Sequence, residues 1–269
     1  RRARAGGSLG GVDVPLTVEA TRYVAPLREG GSLPGLIEAD DDGLYVLKFR
    51  GAGQGPKSLI AELVAGEIAP APRLLGPVIA FVTVDPALGQ AEPDAEIRDL
   101  LKASPGLNIG LDYLPGSLPY EPAAGREVDP GLAADIVWFD ALLTNVDRSA
   151  RNPNLLVWHE RLWLIDHGAA LFAHHNDWRL AGAWERPFPI GADHVLLPLA
   201  GPVPDAHARL APRIDRALLD AITALIPVEW LGDHPEAEPG ERRRAYADHL
   251  ERRLASAAFV EEAERARTA

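Results

Sequence analysis

The stretch Asn145-Val146-Asp147-Arg148-Ser149-Ala150-Arg151-Asn152-Pro153-Asn154-Leu155-Leu156 most narrows what this chain can fold into. It is a polar loop held between two apolar patterns of different period. Before it, Asp129-Pro130 starts a helix carrying Leu132, Ile136, Val137, Phe139 and Leu143 at helical spacing. After it come two short strand-like runs, 155–158 and 162–165, around His159-Glu160-Arg161. A hairpin turning at His159-Glu160 sets Asn152 near His167 and Pro153 near Asp166. Neighbouring strands lie about 4.8 Å apart, so Asn152 and Asp166 leave the same end of one hairpin. Asp147 is close in chain. Helix, loop and hairpin therefore gather three oxygen-bearing side chains on one face.

The sequence ahead of this loop reads differently. Residues 16–24 alternate and are rich in Thr, Val and Tyr, and 36–39 and 45–49 read as two further strands joined by the acidic turn 40–43. Leu59, Ile60, Leu63, Val64 and Ile68 recur at helical spacing, with Pro56 at the start and Pro70 ending the helix near Ala69. Apolar runs at 79–84 and 108–114 complete a small antiparallel sheet. Beyond Pro115-Gly116 the chain turns helical, with further helices near 204–225 and 240–267. The expected architecture is α+β and bilobal: a flexible tail over 1–14, a strand-rich N-lobe with one helix over 15–114, and a mostly helical C-lobe over 115–269.

Composition removes several function classes. There is no cysteine, which excludes disulfides, zinc knuckles and thiol catalysis. The net charge of −12 disfavours large-scale gripping of nucleic acid, although a small site can be locally positive. No apolar stretch approaches the ~20 residues of a membrane span. A soluble cytoplasmic protein without membrane contact is the expectation.

Within this frame Lys48 sits in the apolar strand Tyr45-Val46-Leu47-Lys48-Phe49, where a buried ammonium needs an anionic partner. An edge lysine guarding against aggregation is the plainer reading. Glu62 follows in the next helix, with Glu67 as a competing partner. A strand lysine followed by a helix glutamate is how phosphotransferases hold a lysine against nucleotide phosphates. Asp147 can accept the proton of an attacking hydroxyl, and Asn152, five residues on, can ligate magnesium. Asp166 ends an apolar strand in Ile165-Asp166-His167-Gly168 and, with Asn152, can share a hard cation and its phosphate ligands.

This order of strand Lys, helix Glu, D-x-x-x-x-N and D-x-G resembles the protein-kinase-like fold. The strings resemble the HipA-like kinases, a bacterial branch that is also similar to the phosphatidylinositol kinases in its Asp-Arg loop. The matching pieces are the Lys48 strand, Ala61-Glu62-Leu63 with Ile68-Ala69, Asp147-Arg148 with Asn152, and Asp166-His167-Gly168. The resemblance implies Lys48 on the ATP phosphates, Glu62 holding Lys48, Asp147 as catalytic base, and Asn152 and Asp166 as magnesium ligands. Adenine would rest near Asp112, Tyr113 and Leu114. Gly30, Gly31 and Ser32 would cover the phosphates, with Gly51 to Gly55 as a rival, and Asn154 competes with Asn152. Three positions depart from the wider pattern: Asn145-Val146 replaces the His-Arg before the catalytic Asp of ordinary protein kinases, Ser149 stands where relatives often carry His, and His167 replaces the middle Phe of Asp-Phe-Gly. The length implies that the extra N-terminal subdomain of full-length HipA toxins is missing.

The expected activity is ATP- and magnesium-dependent transfer of the γ-phosphate to a hydroxyl, a protein Ser or Thr first. A small-molecule acceptor, as antibiotic or sugar kinases use, and a nucleotide-binding pseudokinase or partner-binding module remain open. An antitoxin-type partner is compatible with the resemblance. His174-His175 with Asp177 do not easily close a tetrahedral metal shell. The arginine runs at 242–244 and 252–253 read as a solvated helix face.

Overall fold

The computed structural model describes residues 7–27, 33–90, 92–186, 193–232 and 234–269. A short hairpin comes first, β1 (Ser8–Leu9) with β2 (Val12–Asp13), in a stretch expected to be a flexible tail. Val12 anchors it: the side chain is buried in the main core, and β2 lies against a C-terminal helix.

Five strands then build a closed barrel: β3 (Leu16–Pro26), β4 (Gly35–Ala39), β5 (Leu44–Lys48), β6 (Ile79–Val84) and β7 (Gly106–Asp112), in the spatial order β3-β4-β5-β7-β6. The expected sheet was wholly antiparallel, and the structure corrects that. β3 closes the barrel by pairing in parallel with β6, from Leu16↔Ala80 to Glu19↔Thr83. The physical reason is the length and bending of β3. Its first half pairs with β6 and its second half with β4, with register shifts at 20/22 and 23/25 that let one strand serve both neighbours. Closure leaves no bare sheet edge.

The barrel is filled by side chains, among them Val18, Ile37, Tyr45, Leu47, Phe49 and Val82. At Gly110 a Cβ would come within 2.6 Å of Val82 Cγ2, so glycine lets β7 approach its neighbour. Helix α1 (Pro56–Ile68) packs outside the barrel and is buried almost all round. Its start at Pro56 after Gly55, and its end before Ala69, follow the sequence signals. Helix α2 (Ala95–Ala103), which periodicity did not reveal, inserts Ile97 and Leu101 into the barrel cluster. It is short and bears only these two buried apolar residues, with Asp94 accepting from the Glu96 N–H as its N-cap.

The remainder contains β8 (Leu118–Pro119), α3 (Pro130–Leu143), β9 (Leu155–Trp158), β10 (Arg161–Leu164), α4 (Val203–Leu210), α5 (Arg216–Ala224), α6 (Pro239–Ser256) and α7 (Ala258–Thr268). α3, apolar apart from Asp135 and Asp140, forms the centre of the larger core; Asp129 caps it by accepting from the Leu132 N–H at 2.9 Å. β9 and β10 form the anticipated hairpin, pairing Trp158 with Arg161 through to Leu155 with Leu164. Each expected C-terminal helix is split: the first at residues 211–215, where Asp215 caps α5, and the second at Ala257, whose φ is +52°.

Because Leu101 closes the barrel with no exposed surface, Leu101→Ala should lower stability by about 2–5 kcal/mol. Urea denaturation with an unchanged m-value is the check.

Candidate active site

Lys48 is the last residue of β5 and pairs with Ile109 of β7. Strand alternation sends Leu47 into the barrel and Lys48 out of it, towards α1 and the β9–β10 hairpin. Its Nζ lies 2.8 Å from Asp166 Oδ1. Glu62, on α1, is 2% exposed and accepts a hydrogen bond from the His167 N–H at 2.9 Å. The resemblance implied that Glu62 holds Lys48; in the structure the ion pair of Lys48 is with Asp166, and Glu62 anchors the next residue's backbone. Burial pushes the Glu62 carboxyl up to about 7, the Lys48 charge opposing this and that of Asp166 adding to it. For Asp166 burial also pushes upward, but Lys48, with help from Arg148, outweighs it and holds the carboxyl below its ordinary range.

Residues 144–154 are held by one buried ion pair. Arg148 Nε donates to Asp140 Oδ2, and neither side chain has exposed surface. Asp140, on α3, also accepts from Asn145 Nδ2 at 2.9 Å and His194 Nε2 at 3.1 Å. Arg148 further donates to the carbonyls of Pro153 and Asn154 and meets His167 Nδ1 at 3.4 Å. Burial and the adjacent Arg148 push the His167 imidazole down to about 3, so the ring is neutral and its Nδ1 is the acceptor. Burial raises the Asp140 carboxyl, but Arg148 and His194 together outweigh that and leave it well below the carboxylate range. Asp140 and His194 carry no signal in the sequence: they stand outside the motifs and are joined only by the fold.

That frame presents Asp147 with its carboxylate Oδ2 accepting from Asn152 Nδ2 at 2.9 Å. Asn154, in a left-handed conformation at φ +48°, donates Nδ2 to the Asp147 carbonyl. The two asparagines thus divide the work, Asn152 lining the pocket and Asn154 bracing the loop.

Lys48, Glu62, Asp147, Asn152 and Asp166 line one pocket of about 220 Å³ together with Ala52, Gly53 and Gln54. The glycine stretch 51–55 is therefore at the site. Gly30, Gly31 and Ser32 lie outside the described residues. Asp112, Tyr113 and Leu114 are not among the residues lining this pocket; the Asp112 N–H is bonded to the Val78 carbonyl and the Tyr113 N–H to that of Leu44. Just past Gly168 the chain is tied to α1, where Lys57 Nζ donates to the carbonyls of His174 and His175 at 2.7 and 3.1 Å.

The oxygen donors fit a hard divalent cation. Asn152 spends its amide N–H on Asp147, which leaves Oδ1 to accept, and Asp166 Oδ2 is not the atom that pairs with Lys48. One carboxylate and one amide oxygen leave the rest of such an ion's coordination to waters and phosphate.

The sequence profile of the HipA-like kinases matches residues 21–182, more than half of the chain. The chain belongs to the HipA-like kinase family. It is a kinase, a phosphotransferase whose Lys48, Asp147, Asn152 and Asp166 all fall within the matched segment. Among solved structures it is similar in fold to the Helicobacter pylori proinflammatory kinase CtkA, at 13% identity and a TM-score of 0.50, covering 94% of this chain and 98% of CtkA. A Golgi casein kinase with Mn/ADP bound is matched at 13% identity and a TM-score of 0.47, over 92% of this chain and 74% of that one. No curated protein matches the sequence.

Two outcomes follow from the buried acids. The Glu62 carboxyl binds its proton more tightly folded than unfolded, so the stability it contributes is complete below about pH 4 and is lost as pH rises through about 7. Glu62→Gln cannot titrate and keeps an acceptor for the His167 N–H. It should gain on the wild type by up to about 3 kcal/mol between about pH 5 and 8, measured by denaturation at each pH. Arg148→Ala strands a buried carboxylate and should cost about 3–5 kcal/mol, a loss that Asp140→Asn in the same chain partly restores.

Proposed function

We propose that this chain transfers the γ-phosphoryl group of ATP, in a magnesium-dependent reaction, to the hydroxyl of a protein Ser or Thr. The observation that carries the reading is the convergence of Lys48, Asp147, Asn152 and Asp166 on one pocket. Lys48 neutralises phosphate charge, and Asn152 and Asp166 would hold the magnesium ion, which supplies further neutralisation of the phosphoryl oxygens. Asp147 orients the acceptor. Its Oδ2 is fixed by Asn152, so Oδ1 is the oxygen turned to the hydroxyl. As the acceptor oxygen bonds to the γ-phosphorus and the bond to the β-phosphate oxygen breaks, the hydroxyl proton passes to Asp147 and ADP leaves.

A polypeptide acceptor is supported by the surface beside the base. Val146, next to Asp147, is 53% exposed, and Phe172, whose N–H is bonded to Thr144 Oγ1, is 50% exposed. Exposed apolar side chains in the segments that carry Asp147 and follow Gly168 suit the flanking residues of a chain better than a small polyol. The cytoplasm, where ATP is available, is the proposed compartment.

Asp147→Ala should leave ATP–Mg binding by calorimetry within about threefold of wild type while lowering phosphoryl transfer by roughly a hundredfold or more. Unchanged transfer would remove Asp147 from the reaction. Label appearing on a metabolite and on no protein would move the acceptor to the small-molecule class. ATP binding without turnover in the wild type would make the chain a pseudokinase.

A further inference from the structure

A cavity of about 540 Å³ shares no lining residue with the Lys48–Asp147 pocket. Its size is that of a small-molecule site. The C-terminal end of α1, the connection into β6 and one face of the β9–β10 hairpin wall it. In that hairpin Trp158 pairs with Arg161 and Leu156 with Trp163, so all four share one face, while Leu155, Leu162 and Leu164 turn to the core. The Trp158 and Trp163 rings meet edge to face at 5.0 Å.

The two indoles differ in how their N–H groups are satisfied. Trp158 donates to the Pro115 carbonyl at 2.9 Å. Trp163 Nε1 is buried and has no acceptor. A buried donor left unpaired costs about 1–3 kcal/mol and calls for an explanation. Beside it, Arg73 and Arg161 are exposed, and neither guanidinium has a partner among the described residues. The acidic residues of the same cavity are engaged: Asp41 accepts from the Tyr45 hydroxyl at 2.9 Å and from the Gly43 N–H, and Asp112 is not free either. The cavity thus has an aromatic wall, two exposed cations without a partner among the described residues and, in Trp163 of that wall, a buried indole N–H without an acceptor.

We propose that this cavity is a second ligand site, for a small aromatic-bodied molecule carrying one anionic group. The rings of the ligand would lie on the Trp158–Trp163 face. The anionic group, a carboxylate, sulfonate or phosphate, would take the Trp163 N–H and face Arg73 and Arg161. The site is built on α1 and β10, and the Leu164 N–H is bonded to the Leu75 carbonyl at 2.7 Å, so its walls continue directly into the segments bearing Glu62 and Asp166. Asp112 and Leu114, which the resemblance set near adenine, line this cavity and not the Lys48 pocket; the assignment does not rest on the phosphotransfer reading.

The test uses the full chain and 8-anilinonaphthalene-1-sulfonate, with neutral N-phenyl-1-naphthylamine as its uncharged counterpart, both followed by fluorescence titration. Two variants address the site: Trp163→Phe keeps a ring and removes the N–H, and Arg161→Glu alters an exposed residue that packing does not need. Lys48→Ala marks the other pocket. The sulfonate should bind about tenfold more tightly than the neutral dye, and each of the two variants should weaken it about five- to tenfold, with Lys48→Ala without effect. Equal affinity for both dyes, sulfonate binding unchanged in both variants, or a loss confined to Lys48→Ala would each overturn the proposal. So would a crystal soaked with the sulfonate that shows it beside Lys48.

Discussion

The buried pair of Asp140 and Arg148 is the contact on which the catalytic face depends. Asp140 sits on the most buried helix of the molecule, and Arg148 sits on the loop that must be shaped. Two charges taken out of water are costly, and the pair holds only because both are saturated with further hydrogen bonds. Asn145 and His194 complete Asp140; the carbonyls of Pro153 and Asn154 complete Arg148. Those same partners define the loop's path from α3 to β9, so the electrostatic requirement of one ion pair fixes the backbone that presents Asp147. A polar loop that would otherwise be mobile is thereby welded to the apolar core.

His167 joins this network to the second one. Its ring faces Arg148 and packs edge to face on Phe139, while its N–H is bonded to Glu62. Neutrality of the imidazole is what allows the connection, since a charged ring could not accept from Arg148. Through a single residue, α1 and α3 are both tied to the position of Asp166. An aromatic carbocycle in place of His167 could still pack on Phe139, yet it would remove one of the two acceptors of Arg148 Nη2 and leave only Asp140 Oδ1. The substitution of His for the Phe of the common D-F-G string therefore has a local physical reason.

Much of this was legible in the sequence, for identifiable reasons. The β9–β10 register followed from strand period and turn position, and α1 from its Pro56 start and apolar spacing, because both are local signals. The gathering of Asp147, Asn152 and Asp166 followed from that hairpin. What was not legible depends on distant contacts. Closure of the barrel needs β3 and β6, separated by some fifty intervening residues. α2 makes its case with only Ile97 and Leu101. Asp140 reads as one acid in an apolar helix, and His194 as one His in a loop, until the fold brings both to Arg148. The partner of Lys48 was expected to be Glu62 and is Asp166, since a spacing of residue types cannot distinguish two carboxylates that the fold places near one ammonium.

The electrostatics of the pocket sharpen what the acidic composition means. Among the residues lining it, Lys48 is the cation, against the carboxyls of Asp147, Asp166 and Glu62. Arg148 is close but its charge is matched by Asp140. Burial offsets part of the imbalance by raising the Glu62 carboxyl to about 7, yet Asp166 stays ionised beside Lys48. Such a pocket, set in a chain of net charge −12, repels a polyphosphate at close range, where screening by salt is weak. Under the proposed reaction a divalent cation is then required for affinity as well as for rate. Asn152 and Asp166 would hold that cation and through it the phosphate oxygens, and Lys48, its carboxylate partner then shared with the cation, would be left to neutralise the nucleotide.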